Sequence, residues 1–265
     1  MRSNLKYYKR IIVKVGTTIL TLNAEQQISL NLRRMEKLSW VLTALRNEGK
    51  EIILVSSGAI AVGVERLNLK SRPRDTRGKQ AASAVGQAVL MQIYQNFFSL
   101  YNQKVAQILL TRDVIEDEIR KLNARNTFFT LLSMNVIPIV NANDTISTDE
   151  LDFSDNDTLS AYVACITNSE LLIILSDIDG VYDSDPRENP GAKQIEDTRG
   201  VTEELMIMAN ESVSGFGTGG MITKLSAAKM ATESGIDTII ASGSDPTVLF
   251  SIFNGEKNGT MFGKC

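Results

Sequence analysis

Six short apolar runs punctuate the chain: Ile11–Val15, Ile52–Val55, Val105–Leu110, Val136–Val140, Leu171–Leu175 and Thr238–Ala241. They are continuous rather than alternating. That is the pattern of strands covered on both faces, as in a parallel sheet. Between the first two runs, Leu32, Met35, Leu38, Val41, Leu42 and Leu45 mark one helical face, with Gly49 placed to close the helix. Helical periodicity also predicts helices over 84–101, 121–134, 157–168, 202–210 and 219–234. Strands alternating with helices imply a parallel, doubly wound sheet. There is no internal repeat and no low-complexity linker. The longest irregular stretch, Asp177–Gln194, is rich in Asp, Gly and Pro and reads as a functional loop.

Composition narrows the chemistry. The 265 residues carry a formal charge of −3, so no basic footprint points to nucleic acid or an anionic membrane. No run approaches the ~20 apolar residues of a membrane span. The basic start, Met1 to Arg10, leads into a strand rather than a secretory apolar region. The two cysteines, Cys165 and Cys265, make no disulfide framework and no zinc site. A reducing cytoplasm is the expected location. The chain has no histidine, which excludes Ser-His-Asp and Cys-His catalysis. Its chemistry must run on Lys, Asp, Asn, Ser, Thr and backbone amides, with or without a metal.

Ligands of open parallel sheets bind at the carboxyl ends of the strands. There the chain places Lys14-Val15-Gly16-Thr17-Thr18, Ser56-Ser57-Gly58-Ala59, Asn141-Ala142-Asn143-Asp144 and Ser176-Asp177. A fifth segment, Gly215-Phe216-Gly217-Thr218-Gly219-Gly220-Met221-Ile222-Thr223-Lys224, precedes a helix. Glycines let backbone N–H groups approach an anion, and a helix N-terminus favours negative charge. Lys224, in the first turn, is placed to reach the same phosphates. Lys14, before a Gly-Thr turn, is a second cation for phosphate contact, although a lysine at a strand end can also snorkel to solvent.

Gly215, Gly217 and Gly220 fit G-x-G-x-x-G, yet no strand precedes them, and Asp237 lies before its strand rather than at its end. The dinucleotide fingerprint therefore fails. The P-loop pattern fails too, because Lys224 does not follow a glycine. Asp144, Asp149, Glu150, Asp152, Asp155 and Asp157 crowd one loop and helix start, where most such acids are solvated or cap the helix. Asp157 and Asn156 stand apart. A first-turn Asp can orient two lysines, and an Asn can read an α-amino or carboxylate group.

Taken together, Lys14–Thr18, Ser56–Ile60, Leu109–Arg112, Leu122–Arg125, Asn141–Asp144, Asp155–Ala161, Ser176-Asp177, Ser212–Gly215 and Gly217–Lys224 resemble the amino-acid kinase family, in family order and over nearly the whole chain. Within it they resemble the members that phosphorylate L-glutamate. The resemblance implies a three-layer αβα sandwich with a mostly parallel central sheet. It implies one kinase domain over 1–265, with the substrate site mainly in the N-terminal part and the ATP site mainly beyond about residue 170. The implied reaction moves the ATP γ-phosphoryl to the γ-carboxylate of L-glutamate, giving L-glutamyl 5-phosphate, the first step of proline synthesis. Lys14, Asp157 and Lys224 would be catalytic, Asp157 organising the two lysines. Ser57, Asp144 and Asn156 would bind glutamate. Lys14, Ser176, Asp177, Thr218, Gly219, Gly220, Met221, Ile222, Thr223 and Lys224 would line the ATP site. Mg²⁺ would ride on ATP with no firmly assigned protein ligand. A homo-oligomer and feedback inhibition by proline are implied as well.

Three features depart from the family pattern. Members often continue into a C-terminal PUA domain, and this chain ends where it would begin. Asn126 stands where Asp is common, and Ala142 where Glu is common. The reaction suits the composition. A carboxylate is already ionised at neutral pH and needs no general base, so transfer rests on positioning and charge neutralisation. Kinases of the same family acting on aspartate, N-acetylglutamate, carbamate or UMP remain alternatives, as does a non-catalytic amino-acid sensor on the same fold.

Overall fold

The computed structural model describes residues 2–24, 27–146, 155–184, 186, 189, 191–211 and 220–265. After a 3₁₀ turn (Arg2–Tyr7), the described elements run in chain order. The first half holds β1 (Arg10–Val15), α1 (Thr17–Leu20), β2 (Thr21–Ala24), β3 (Gln27–Leu30), α2 (Leu32–Asn47), β4 (Glu51–Ser56), α3 (Ala59–Arg66), α4 (Thr76–Ser99), β5 (Lys104–Leu110), α5 (Asp113–Glu116), α6 (Glu118–Ser133) and β6 (Val136–Ala142). The second holds α7 (Asn156–Thr167), β7 (Leu171–Ser176), β8 (Asp197–Arg199), α8 (Glu203–Glu211), α9 (Met221–Glu233), β9 (Asp237–Ser242), α10 (Val248–Phe253) and β10 (Thr260–Gly263).

The main sheet has the order β5-β6-β4-β1-β7-β9-β10-β8. All six predicted strands are present and parallel to one another. The sheet is mostly parallel, as expected; the exception is one edge, where β10 runs antiparallel to β9 and carries β8 with it. These two strands are only three or four residues long, too short to show a periodicity. They are fastened instead by Arg2. Its buried guanidinium donates to the carbonyls of Glu196, Glu256, Asn258 and Gly259 and to Asp197 Oδ1 at 2.7–3.0 Å.

Pleating sorts the strand residues into two cores, which makes the middle of a three-layer sandwich. Ile11, Val13 and Val15 of β1 join Leu54, Ile173 and Ile239 against α2, α4 and α10. Ile12 joins Ile53, Ile174 and Ile240 against α7, α8 and α9. Lys14 shares the parity of Ile12 and so points to the α7 side. β5 differs from the other predicted strands because it is an edge, and most of it is only half-buried.

The helices start where their caps dictate. Asp75 accepts from Gly78 N at 2.8 Å, so α4 begins at Thr76 rather than near 84. Its first turns carry Arg77, Lys79 and Gln80, which hid them from an apolar pattern. Asp155 accepts from Thr158 N at 2.8 Å and opens α7. α3 was not legible in the pattern: it is eight residues of mostly small side chains. It packs on α4 through glycines. A Cβ on Gly63 would lie 1.8 Å from Ala82 O, and one on Gly86 would lie 1.8 Å from Ala59 O. Only the missing side chains allow that approach. The β2–β3 hairpin was also missed, its strands being four residues each.

Candidate active site

β1 lies between β4 and β7, so the chain turns to opposite sides of β1 in its two halves. Such a switch point opens a crevice at the strands' carboxyl ends. Lys14, Ser57, Asn141, Ser176 and the start of α7 all lie at that end.

The centre of the crevice is Asp157, fully buried in the first turn of α7. Lys14 Nζ lies 2.6 Å from Asp157 Oδ1. Lys224 Nζ, from the first turn of α9, lies 3.5 Å from Asp157 Oδ2. Thr223 Oγ1 donates to the same Oδ2 at 2.8 Å. Both lysines are themselves buried, at 5% and 6% exposure, so little water screens the cluster. Burial pushes the Asp157 carboxyl upward, but the charges of Lys14 and Lys224 and the bonds from Lys14 and Thr223 outweigh it and hold it below the usual range. Two lysines thus meet one carboxylate beside the backbone N–H groups at the start of α9, an arrangement suited to receiving an anion. Gly16 lies directly beside the cluster, the place of its missing Cβ being 3.6 Å from Lys14 Nζ.

Beside this cluster lies a second one made of amides and hydroxyls. Asn156 Nδ2 donates to Ser57 Oγ at 2.9 Å and to Asn141 Oδ1 at 3.0 Å. Asn141 Nδ2 donates to Gln87 Oε1 at 2.9 Å. Ser83 Oγ donates to Asp144 Oδ2 at 3.0 Å. Burial raises the Asp144 carboxyl, and the Ser83 bond and the Arg72 charge offset this only in part. Gly58, at φ +106°, turns the chain sharply from β4 into α3 and leaves Ser57 at the crevice.

Of the predicted site residues, the structure brings Lys14, Asp157, Thr223, Lys224 and Gly220 into one contact set, since Gly220 O lies 2.9 Å from Thr223 Oγ1 and shares its single proton with Asp157. Ser57 and Asn156 meet directly. Ser176 and Asp177 sit at the end of β7 and bond to each other at 2.9 Å, without a direct bond to either lysine. Met221 and Ile222 pack, partly buried, against the α7–α9 core. Thr218 and Gly219 lie outside the described residues, as do 212–217 and the acids Asp149, Glu150 and Asp152. Sequence reasoning missed Ser83 and Gln87, and did not single out Asn141. The available signal was two polar residues four apart on a helix face otherwise small or apolar, opposite an Asn ending an apolar strand.

A sheet of this order, with helices on both faces and a lysine–aspartate–lysine cluster at its switch point, defines a phosphotransferase class. Residues 9–242 match the Amino acid kinase family, and the chain belongs to that family. Its relatives include the glutamate 5-kinase of Clostridium perfringens (strain 13 / Type A), 55% identical over 99% of this chain and 98% of that protein. The glutamate 5-kinase of Geobacter metallireducens is 46% identical over 97% of this chain and 68% of that longer protein. Among solved structures, the carbamate kinase from Giardia lamblia bound to AMP-PNP shares the fold at a TM-score of 0.68 and 19% identity, covering 98% of this chain and all of that one. The UMP kinase from Bacillus anthracis shares it at 0.64 and 18%, covering 97% and 96%.

Proposed function

We propose that this protein transfers the γ-phosphoryl group of ATP to the γ-carboxylate of L-glutamate, giving L-glutamyl 5-phosphate, the first step of proline synthesis. The observation that carries the proposal is the convergence of Lys14 and Lys224, from opposite halves of the chain, on the buried Asp157. Phosphoryl transfer through a loose transition state needs charge neutralisation on the moving group and an in-line acceptor. Lys14 and Lys224 supply the charge. Asp157 and Thr223 fix the lysines so that little reorganisation accompanies the step. The substrate carboxylate attacks as it stands, because it is ionised at neutral pH.

In this reading Ser57, Asp144 and Asn156 hold glutamate, and Ser176, Asp177 and 218–224 line the ATP site. The substrate half of the domain lies mainly before residue 170 and the nucleotide half mainly after it. Mg²⁺ neutralises phosphate charge when bound. Mg²⁺ keeps several waters when bound, so in this reading it is held mainly by the ATP phosphates and water. Homo-oligomeric assembly, inhibition by proline and a cytoplasmic location are parts of the same proposal. No described helix is long and apolar enough to cross a membrane.

The test is to incubate the protein with ATP, Mg²⁺ and L-glutamate and trap the acyl phosphate with hydroxylamine. Hydroxamate formation that requires all three supports the reaction. ATP turnover without hydroxamate, or none at all, overturns it.

A further inference from the structure

A carboxamide can turn either end to a neighbour, and at the substrate end of the crevice two backbone groups, Ala142 N–H and the Ser56 carbonyl, decide the matter for Asn141 and Asn156. Ala142 N donates to Asn141 Oδ1 at 2.9 Å. A backbone N–H can only donate, so this end of Asn141 is the oxygen. Asn141 Nδ2 is therefore turned to Gln87, whose Oε1 accepts it at 2.9 Å. Asn141 Oδ1 then accepts from Asn156, as does the Ser56 carbonyl at 3.4 Å, so the nitrogen of Asn156 is the end facing inward, toward Asn141, Ser56 and Ser57. Its oxygen is left on the side away from both. The same contact makes Ser57 Oγ an acceptor from Asn156, so its hydroxyl proton is directed elsewhere.

Asn141 and Gln87 are 3% and 7% exposed, so water competes weakly for these bonds. Reversing the Asn156 amide would set its oxygen against Asn141 Oδ1. Reversing Asn141 as well would set an amino group against Ala142 N–H. Each reversal puts like against like in a buried place, where an unmade hydrogen bond is costly.

We infer that Gln87 and Asn141 are positioning residues that set substrate choice, by locking Asn156 with its oxygen outward as a reader of hydrogen-bond donors. The group it favours is the free ammonium of an α-amino acid. The turned hydroxyl of Ser57 favours a carboxylate. Ligands whose nitrogen is acylated or missing lose the Asn156 contact. This rests on the reading of Asn156 and Ser57 as substrate contacts.

The experiment is a double-mutant cycle on Gln87→Met and Asn156→Ala. It is read as KM for L-glutamate, KM for ATP, and the preference for L-glutamate over glutarate, which lacks the nitrogen. Gln87→Met is expected to raise the glutamate KM about tenfold through the unmade buried bond and to lower the preference by a similar factor. The ATP KM should move less than about twofold. In the Asn156→Ala background the same change should add less than about twofold, because its route is gone. Additive effects, or glutamate and ATP constants rising together, overturn the inference. If Gln87→Met fails to fold, Asn141→Ala takes its place in the cycle. Calorimetric titration of L-glutamate separates this inference from the assigned reaction. Coupled binding without turnover supports the relay and overturns the reaction. Turnover with uncoupled binding overturns the relay.

Discussion

Lys14 Nζ and Asp157 Oδ1 lie 2.6 Å apart inside the protein, one at the end of the central strand and the other in the first turn of α7. The pair joins the sheet to the helix layer at the point where the crevice opens. A buried charge without its partner is costly, so the pair is a structural as well as a chemical element. Asp157→Asn keeps the shape and removes the charge that offsets two lysines. It should destabilise the fold by about 3 kcal/mol and slow turnover strongly. Urea unfolding and steady-state kinetics check this. Adding Lys14→Met should recover part of the stability and none of the activity. Recovery of turnover would contradict the assignment.

Lys224 Nζ, in the first turn of α9, lies 3.5 Å from Asp157 Oδ2. Lys224→Ala should lower kcat by about a hundredfold or more, the effect of losing one preorganised charge at the transition state. The glutamate KM should stay nearly constant. Wild-type turnover in this variant would sink its proposed role.

Asp144 and Asp157 respond to acid in opposite directions. The Asp157 pKa is depressed, so its contribution to stability is present above the unfolded value and is lost only as pH falls through the lower folded value. The Asp144 pKa is raised by burial, so its ionised form costs native stability and protonation relieves that cost. Asp144 must be ionised to pair with an ammonium group. The glutamate KM is therefore expected to rise as pH falls through the raised Asp144 value, while kcat at saturation holds over the same interval. Asp144→Asn should raise KM at neutral pH and move the acid limb down to that of the substrate carboxylate. An unchanged limb in this variant would assign the titration to another group.

The α3–α4 crossing lies behind the proposed substrate end. Gly86 sits between Ser83 and Gln87 on α4, and a Cβ there would overlap Ala59 O. Gly86→Val should cost about 3 kcal/mol through overpacking and helix displacement. Because α4 carries both polar contacts, the glutamate KM should rise more than the ATP KM. Equal changes in the two would show that α4 does not act selectively on the substrate half.

The local pattern of the chain already contained the parallel strands, most of the helices and the end of the sheet that carries chemistry. Continuous apolar runs such as Ile52–Val55 suit only strands covered on both faces, and that information is local. The lack of histidine and the position of Lys14, Asp157 and Lys224 at element ends likewise pointed to charge-based phosphoryl chemistry. What the tertiary structure decided depends on distances across the sheet. Asp157 and Lys224 are 67 residues apart in the chain, and only the packing of α7 against α9 brings them together. The partnership of Gln87 with Asn141 arises because α4 crosses β6, and the short strand β10 owes its place to Arg2 at the other end of the chain. Contacts of this kind leave no periodic trace in a sequence, since each is one residue meeting one other after the layers have packed.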